Sequence, residues 1–145
     1  MILALLLAAA PVDAALLGGL PESTVTLTAH GVTQTCTGPT LAAVLGKLGY
    51  PAGEKLGGSA LARGVVVRAK DGYAVLLSLG EIDATLGNHP AIIATQCDGK
   101  ALGNHDGPYR LILPGEARPA RSARQVVSVE PIIAPISSLP LMDHH

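Results

Sequence analysis

The chain has 145 residues and a formal net charge of −1, and its apolar content rests on Ala, Val, Leu and Ile, with no Phe or Trp and three Tyr. One domain with a core of small aliphatic side chains is expected, each Leu, Ile or Val contributing about 1.5–3 kcal/mol on full burial. The scarcity of aromatic platforms argues against single-stranded nucleic-acid binding, and a near-zero charge provides no bulk field toward DNA or anionic lipid.

Residues 1–10 read MILALLLAAA and are followed by Pro11, Asp13, Ala14 and Ala15. Ten apolar residues are too few to span a bilayer, but they match the apolar region of a secretory leader with a small-residue exit. Residues 1–15 are therefore expected to be a signal peptide. The mature chain would then be periplasmic or secreted and without a membrane span. The alternative is a short N-terminal core helix, which Pro11 and Gly18-Gly19 disfavour.

Residues 23–28 (STVTLT) and 32–37 (VTQTCT) alternate and are rich in β-branched residues, with a turn at Ala29-His30-Gly31 between them. They predict a hairpin, with Val25 and Leu27 on one face and threonines on the other. Thr40 then reads as the N-cap of a helix carrying Leu41, Val44, Leu45 and Leu48, stopped at Gly49. Residues 51–58 form a loop, and 59–63 one helical turn. Residues 64–70 and 73–77 read as strands joined at Asp71-Gly72, a hairpin cue. Ser78 with Glu81 has the capping-box pattern and opens a short helix over 79–86. Residues 91–97 (AIIATQC) predict one strand, and 109–113 another. The tail, 131–145, contains three prolines and is expected to be extended.

Residues 106–130 hold four of the six arginines: Arg110, Arg118, Arg121 and Arg124. A guanidinium is planar, permanently charged and able to grip two oxygens, so this stretch is a candidate anion site; solvated surface charge is the alternative. Cys36 and Cys97 are the only cysteines. They either pair in an oxidising compartment or sit apart as small buried hydrophobes. His30, His89 and His105 lie on loops and form a weaker candidate for a divalent metal. No P-loop, GxGxxG, HExxH or GxSxG pattern occurs. Short strands without regular helix alternation give a β-rich α+β domain over 23–130.

The order of segments carries a resemblance. A hairpin leads into the Gly38-Pro39-Thr40-Leu41 helix start, then Asp71-Gly72-Tyr73, Asp98-Gly99-Lys100, and Gly107-Pro108-Tyr109-Arg110-Leu111-Ile112-Leu113-Pro114-Gly115. This succession resembles the oxidoreductase molybdopterin-binding domain family, with its sulfite-oxidase-type fold of mixed sheets and two or three short helices. The resemblance implies a short, stand-alone exported member. It also implies a molybdopterin cofactor and a redox partner protein if the chain is active. Arg110, Arg118, Arg121 and Arg124 would hold phosphate, Tyr73 would donate a hydrogen bond, and His30 and Cys36 would lie near the metal position. Catalytic members ligate molybdenum through a cysteine at the end of the first strand, where this chain has Ala29. Arg124 matches a basic residue that the family follows with Trp, replaced here by Gln125. The implied alternative is a non-enzymatic binding or interaction module that keeps only the fold.

Overall fold

The structure, a computed structural model, describes residues 8–135. It is β-rich α+β, with antiparallel sheets and three short α-helices among the described residues. The first sheet contains β1 (Ala10–Pro11), β4 (Arg63–Ala69), β5 (Ala74–Ser78) and β10 (Val126–Ile133), in the order β1-β10-β4-β5. The second contains β2 (Glu22–Ala29), β3 (Val32–Pro39), β7 (Gln96–Cys97) and β8 (Lys100–Ala101), in that order. A two-stranded ribbon pairs β6 (Ile92–Ala94) with β9 (Arg110–Ile112).

The helices follow their caps. In α2 (Leu41–Lys47) the Thr40 hydroxyl accepts the Ala43 N–H at 3.1 Å, and Leu41, Val44 and Leu45 turn inward at helical spacing. The chain leaves the helix through Gly49, whose φ of 89° suits a residue without Cβ. In α3 (Leu79–Ile82) both halves of the capping box form: Glu81 N–H to Ser78 Oγ and Ser78 N–H to Glu81 Oε1. This helix is shorter than the expected 79–86. Asp83 ends it by turning its carboxylate to the N–H groups of Gly53 and Thr85.

Three expectations are revised. Residues 91–97 are two strands in two sheets. The chain switches at Thr95, whose N–H bonds the Thr37 carbonyl. The final strand does not stop at Glu130 but runs through Pro131 to Ile133. Val65, opposite Pro131, exchanges its hydrogen bonds with Leu77 on the other side, so the missing proline N–H leaves no gap in the β4–β10 ladder. The rest of the predicted tail, 136–145, lies outside the described residues, as do residues 1–7. Finally, residues 10–17 are built into the domain. β1 pairs with β10, Asp13 caps α1 (Ala14–Leu17), and Val12 and Leu17 are buried in the main core. A cut after Ala15 would remove all of these except Leu17.

The main core lies between the first sheet and α2, with Val65, Val67, Leu77, Leu111, Val126 and Val129 among its members. A smaller cluster of Leu27, Cys36, Ile92, Ala94, Cys97 and Ile112 sits under the hairpin β2–β3. Cys36 and Cys97 face each other across the β3–β7 ladder and are joined by a disulfide. The bond closes a span of 61 residues, worth about 4 kcal/mol in the chain-entropy account. Gly38 lets β3 cross the ribbon: a Cβ there would collide with the Ile93 carbonyl.

Candidate anion-binding cleft

Three turns from distant parts of the chain meet around one open cleft of about 620 Å³. The first is the tip of the β2–β3 hairpin. His30 and Gly31 both take positive φ (52° and 76°), as a two-residue hairpin turn requires, and His30 lines the cleft. The second is the β4–β5 turn. There Gly72 takes φ 91° and Asp71 Oδ1 accepts the Tyr73 N–H at 3.0 Å, which places Asp71 and Tyr73 on the wall. The third is the loop after β9, where a 3₁₀ turn, Pro119–Arg121, leads into Ser122–Gln125. The Tyr73 hydroxyl donates to the Ala120 carbonyl and ties the second turn to the third.

Arg110 lines this cleft from the first position of β9 and is only 3% exposed. Its Nε–H donates to the Ser122 carbonyl at 3.3 Å. Ser122 is fixed in turn, because its hydroxyl accepts the Leu113 N–H at 2.9 Å. No carboxylate forms an ion pair with Arg110 among the described residues. Burial, and then the nearby Arg124 cation, lower its pKa, partly offset by Asp106. A buried arginine is normally paired, since desolvating an uncompensated charge costs several kcal/mol.

The other arginines differ. Arg118 is exposed on the rim, with no side-chain hydrogen bond among the described residues. Arg124 also lines the cleft but binds Asp106 at 2.6 Å. Arg121 does not line it. Its Nε and one terminal nitrogen hold Glu116 at 2.7 and 3.0 Å, and both terminal nitrogens reach Glu81 at 3.2 Å. These carboxylates raise the Arg121 pKa, and the Arg121 hydrogen bond lowers that of Glu116. Arg121 therefore pins the loop to α3, and its role as an anion ligand is withdrawn.

Of the residues expected from sequence, Arg110, Arg118, Arg124, His30 and Tyr73 thus share one cleft, and Arg121 does not. Cys36 is not there either. Its sulfur is bonded to Cys97 and fully buried in the smaller core cluster, so it has no thiolate to offer a metal. The three-histidine idea also dissolves: His30 and His105 line the cleft, while His89 Nε2 contacts the Pro114 carbonyl at 3.0 Å elsewhere. Among the described residues, no group of three or more His, Cys, Asp or Glu converges to hold a metal ion.

Sequence reasoning missed His105, Asp71, Ser122 and Gln125 as cleft residues. Gln125 was singled out in the sequence only as the residue that follows Arg124. Its φ is 51°, and its side chain donates to the Asn104 carbonyl at 2.6 Å. Nothing in the sequence placed His105 and Asp71 there, because only the docking of separate turns brings them in. The chain matches no protein-family model and no curated protein sequence.

Proposed function

We propose that this chain is a small-molecule binding domain that takes a phosphate-bearing ligand into the Arg110 cleft, and that it works without molybdenum. The observation that carries this reading is Arg110: a buried guanidinium lining the cleft with no carboxylate partner among the described residues. A phosphate oxygen supplies the missing charge and hydrogen-bond acceptors. Arg118 reaches the same anion from the rim, and Arg124 adds field while keeping Asp106. Asp71 is the one carboxylate among the lining residues, so the cleft favours anions over cations.

The sulfite-oxidase-type reading of the fold belongs to this proposal, with a pterin phosphate as its specific candidate ligand. The residues fit the phosphate half of that cofactor and not the metal half. Bound molybdopterin supplies redox chemistry through its metal. That metal needs a thiolate anchor, whereas here Ala29 has no donor atom and both cysteines are in the disulfide. An oxidoreductase role and a redox partner protein therefore have no support from these residues. The disulfide supports a periplasmic or secreted location, since such bonds persist in oxidising compartments.

The test is calorimetric titration of the intact chain with inorganic phosphate and pyrophosphate. It is combined with metal and mass analysis of protein made in a host that synthesises molybdopterin. Saturable phosphate binding that Arg110→Gln abolishes, without stoichiometric molybdenum, is the expected result. Stoichiometric molybdenum, or phosphate binding indifferent to Arg110, overturns the proposal.

A further inference from the structure

Among the described residues the first sheet ends at a strand with no outer neighbour, and this edge differs from the other outer edges of the two four-stranded sheets. β1 carries Pro11, which has no N–H to offer another strand, and β8 is two residues long and bears Lys100. The outer strand of the hairpin, β2, presents threonines on its exposed face. Proline, lysine, short length and polar faces are the usual devices that keep sheet edges from pairing with another chain. The remaining edge, β5, has none of the first two. Its sequence is AVLLS, uncharged throughout, and its central Leu76 is 58% exposed.

The direction of its backbone groups follows from the ladder. Ala69 N–H donates to the Tyr73 carbonyl, which marks 69 and 73 as a hydrogen-bonded pair. Alternation along an antiparallel pair then makes Val67–Val75 and Val65–Leu77 the bonded pairs. The N–H and C=O groups of Ala74 and Leu76 therefore point away from the sheet. None of them has a backbone partner among the described residues. At the far end the pattern is closed, because the Ser78 N–H is taken by Glu81 Oε1 at 3.0 Å.

Apolar side chains flank this edge. Gly64, in register with Ser78, leaves a notch into which Leu76 and Ile132 lean: a Cβ at Gly64 would sit 3.5 Å from Leu76 Cδ1 and 3.3 Å from Ile132 Cγ2. Leu61 and Leu86 approach each other in the same way over Gly80. All four side chains are more than 40% exposed.

We propose that β5 is a docking edge for a second copy of this chain, which adds its own β5 antiparallel about a twofold axis at Val75. Under that axis Ala74 of one copy faces Leu76 of the other. Each such pair exchanges both its N–H and its C=O, so the edge is complementary to itself. Leu76 of each copy is brought opposite Ala74 of its partner on the exposed face, in the row that Arg68 continues on β4. The absence of charge on the edge and a net charge of −1 leave little repulsion between copies. A contact this short makes a weak, concentration-dependent dimer. It is independent of the anion cleft, so either proposal stands or falls without the other.

Sedimentation velocity on the intact chain tests this between about 10 μM and 1 mM. The mass is expected to rise from 14.7 kDa toward twice that value across the series. Ala74→Pro removes an outward N–H at the first position of the strand, where the fold does not use it. Leu76→Lys places a charge on the exposed face of the edge. Both variants are expected to stay monomeric at every concentration, with the wild-type circular dichroism spectrum. If Ala74→Pro alone misfolds, Leu76→Lys decides. A wild-type chain that stays monomeric throughout, a dimer that survives Leu76→Lys, or an edge that takes up an extended foreign peptide while the chain remains monomeric each overturns the proposal.

Discussion

Arg110 and Arg121 lie in the same arginine-rich stretch and have opposite settings. Arg121 is partly exposed and nearly saturated, with hydrogen bonds to Glu116 and Glu81. Arg110 is buried and has one, to a main-chain carbonyl. A guanidinium satisfied by its own fold holds structure. One that is desolvated and left open beside a cleft is poised for something from outside. The number of arginines in a stretch does not distinguish these cases; the carboxylates within reach do.

The largest expected effect comes from the hairpin wall of the cleft that Arg110 lines and Arg121 does not. The hairpin bearing His30 is joined to β7 by the disulfide. Its removal by Cys36→Ala with Cys97→Ala should lower stability by about 4 kcal/mol, read from urea midpoints. Phosphate affinity should fall with it if His30 needs its place on the cleft wall.

Next come the arginines themselves. Arg110→Met should abolish phosphate binding in calorimetry while raising the stability of the free protein by about 1 kcal/mol, because it removes a desolvated charge and keeps most of the side-chain packing. Arg121→Met should do the reverse, costing about 1 kcal/mol of stability and leaving measurable phosphate binding. If the two variants behave alike, the contrast between them is wrong.

Acid titration sharpens the same contrast. Arg121 holds the Glu116 carboxyl below its ordinary range. A folded value below the unfolded one means that the contribution is fully present above the ordinary glutamate range. It is lost as pH falls through the depressed folded value. The acid slope of stability should therefore be shallower in Arg121→Met and unchanged in Arg110→Met. The smallest effect belongs to Arg118→Gln. On an exposed rim residue it should leave the melting temperature within error and weaken phosphate binding a few-fold, as expected of a solvent-screened contact.

Much of the local structure was legible. The Thr40 cap, the Ser78–Glu81 capping box and the turn expected at Ala29-His30-Gly31 each depend on residues a few positions apart; both caps formed, and the turn is tighter than expected because β2 runs through Ala29. The split of residues 91–97 was not legible, because its cause is a hydrogen bond from Thr95 to Thr37 in another strand. Asp13, beside the expected leader exit, is a helix cap, while the neighbouring Val12 found its place only in the assembled core.

The sequence by itself determined that this would be a β-rich α+β domain with an aliphatic core, and that residues 106–130 would concentrate positive charge. Periodicity, capping and turn chemistry act over a few residues, so they can be read from the line of the chain. Tertiary structure alone decided that Cys36 meets Cys97, that Glu81 and Glu116 claim Arg121, and that Arg110 is buried in the cleft it shares with His30 and Tyr73 without an ion-paired carboxylate among the described residues. Ion pairing, desolvation and disulfide formation depend on distance in space, and the residues that set those distances here come from separate turns and sheets.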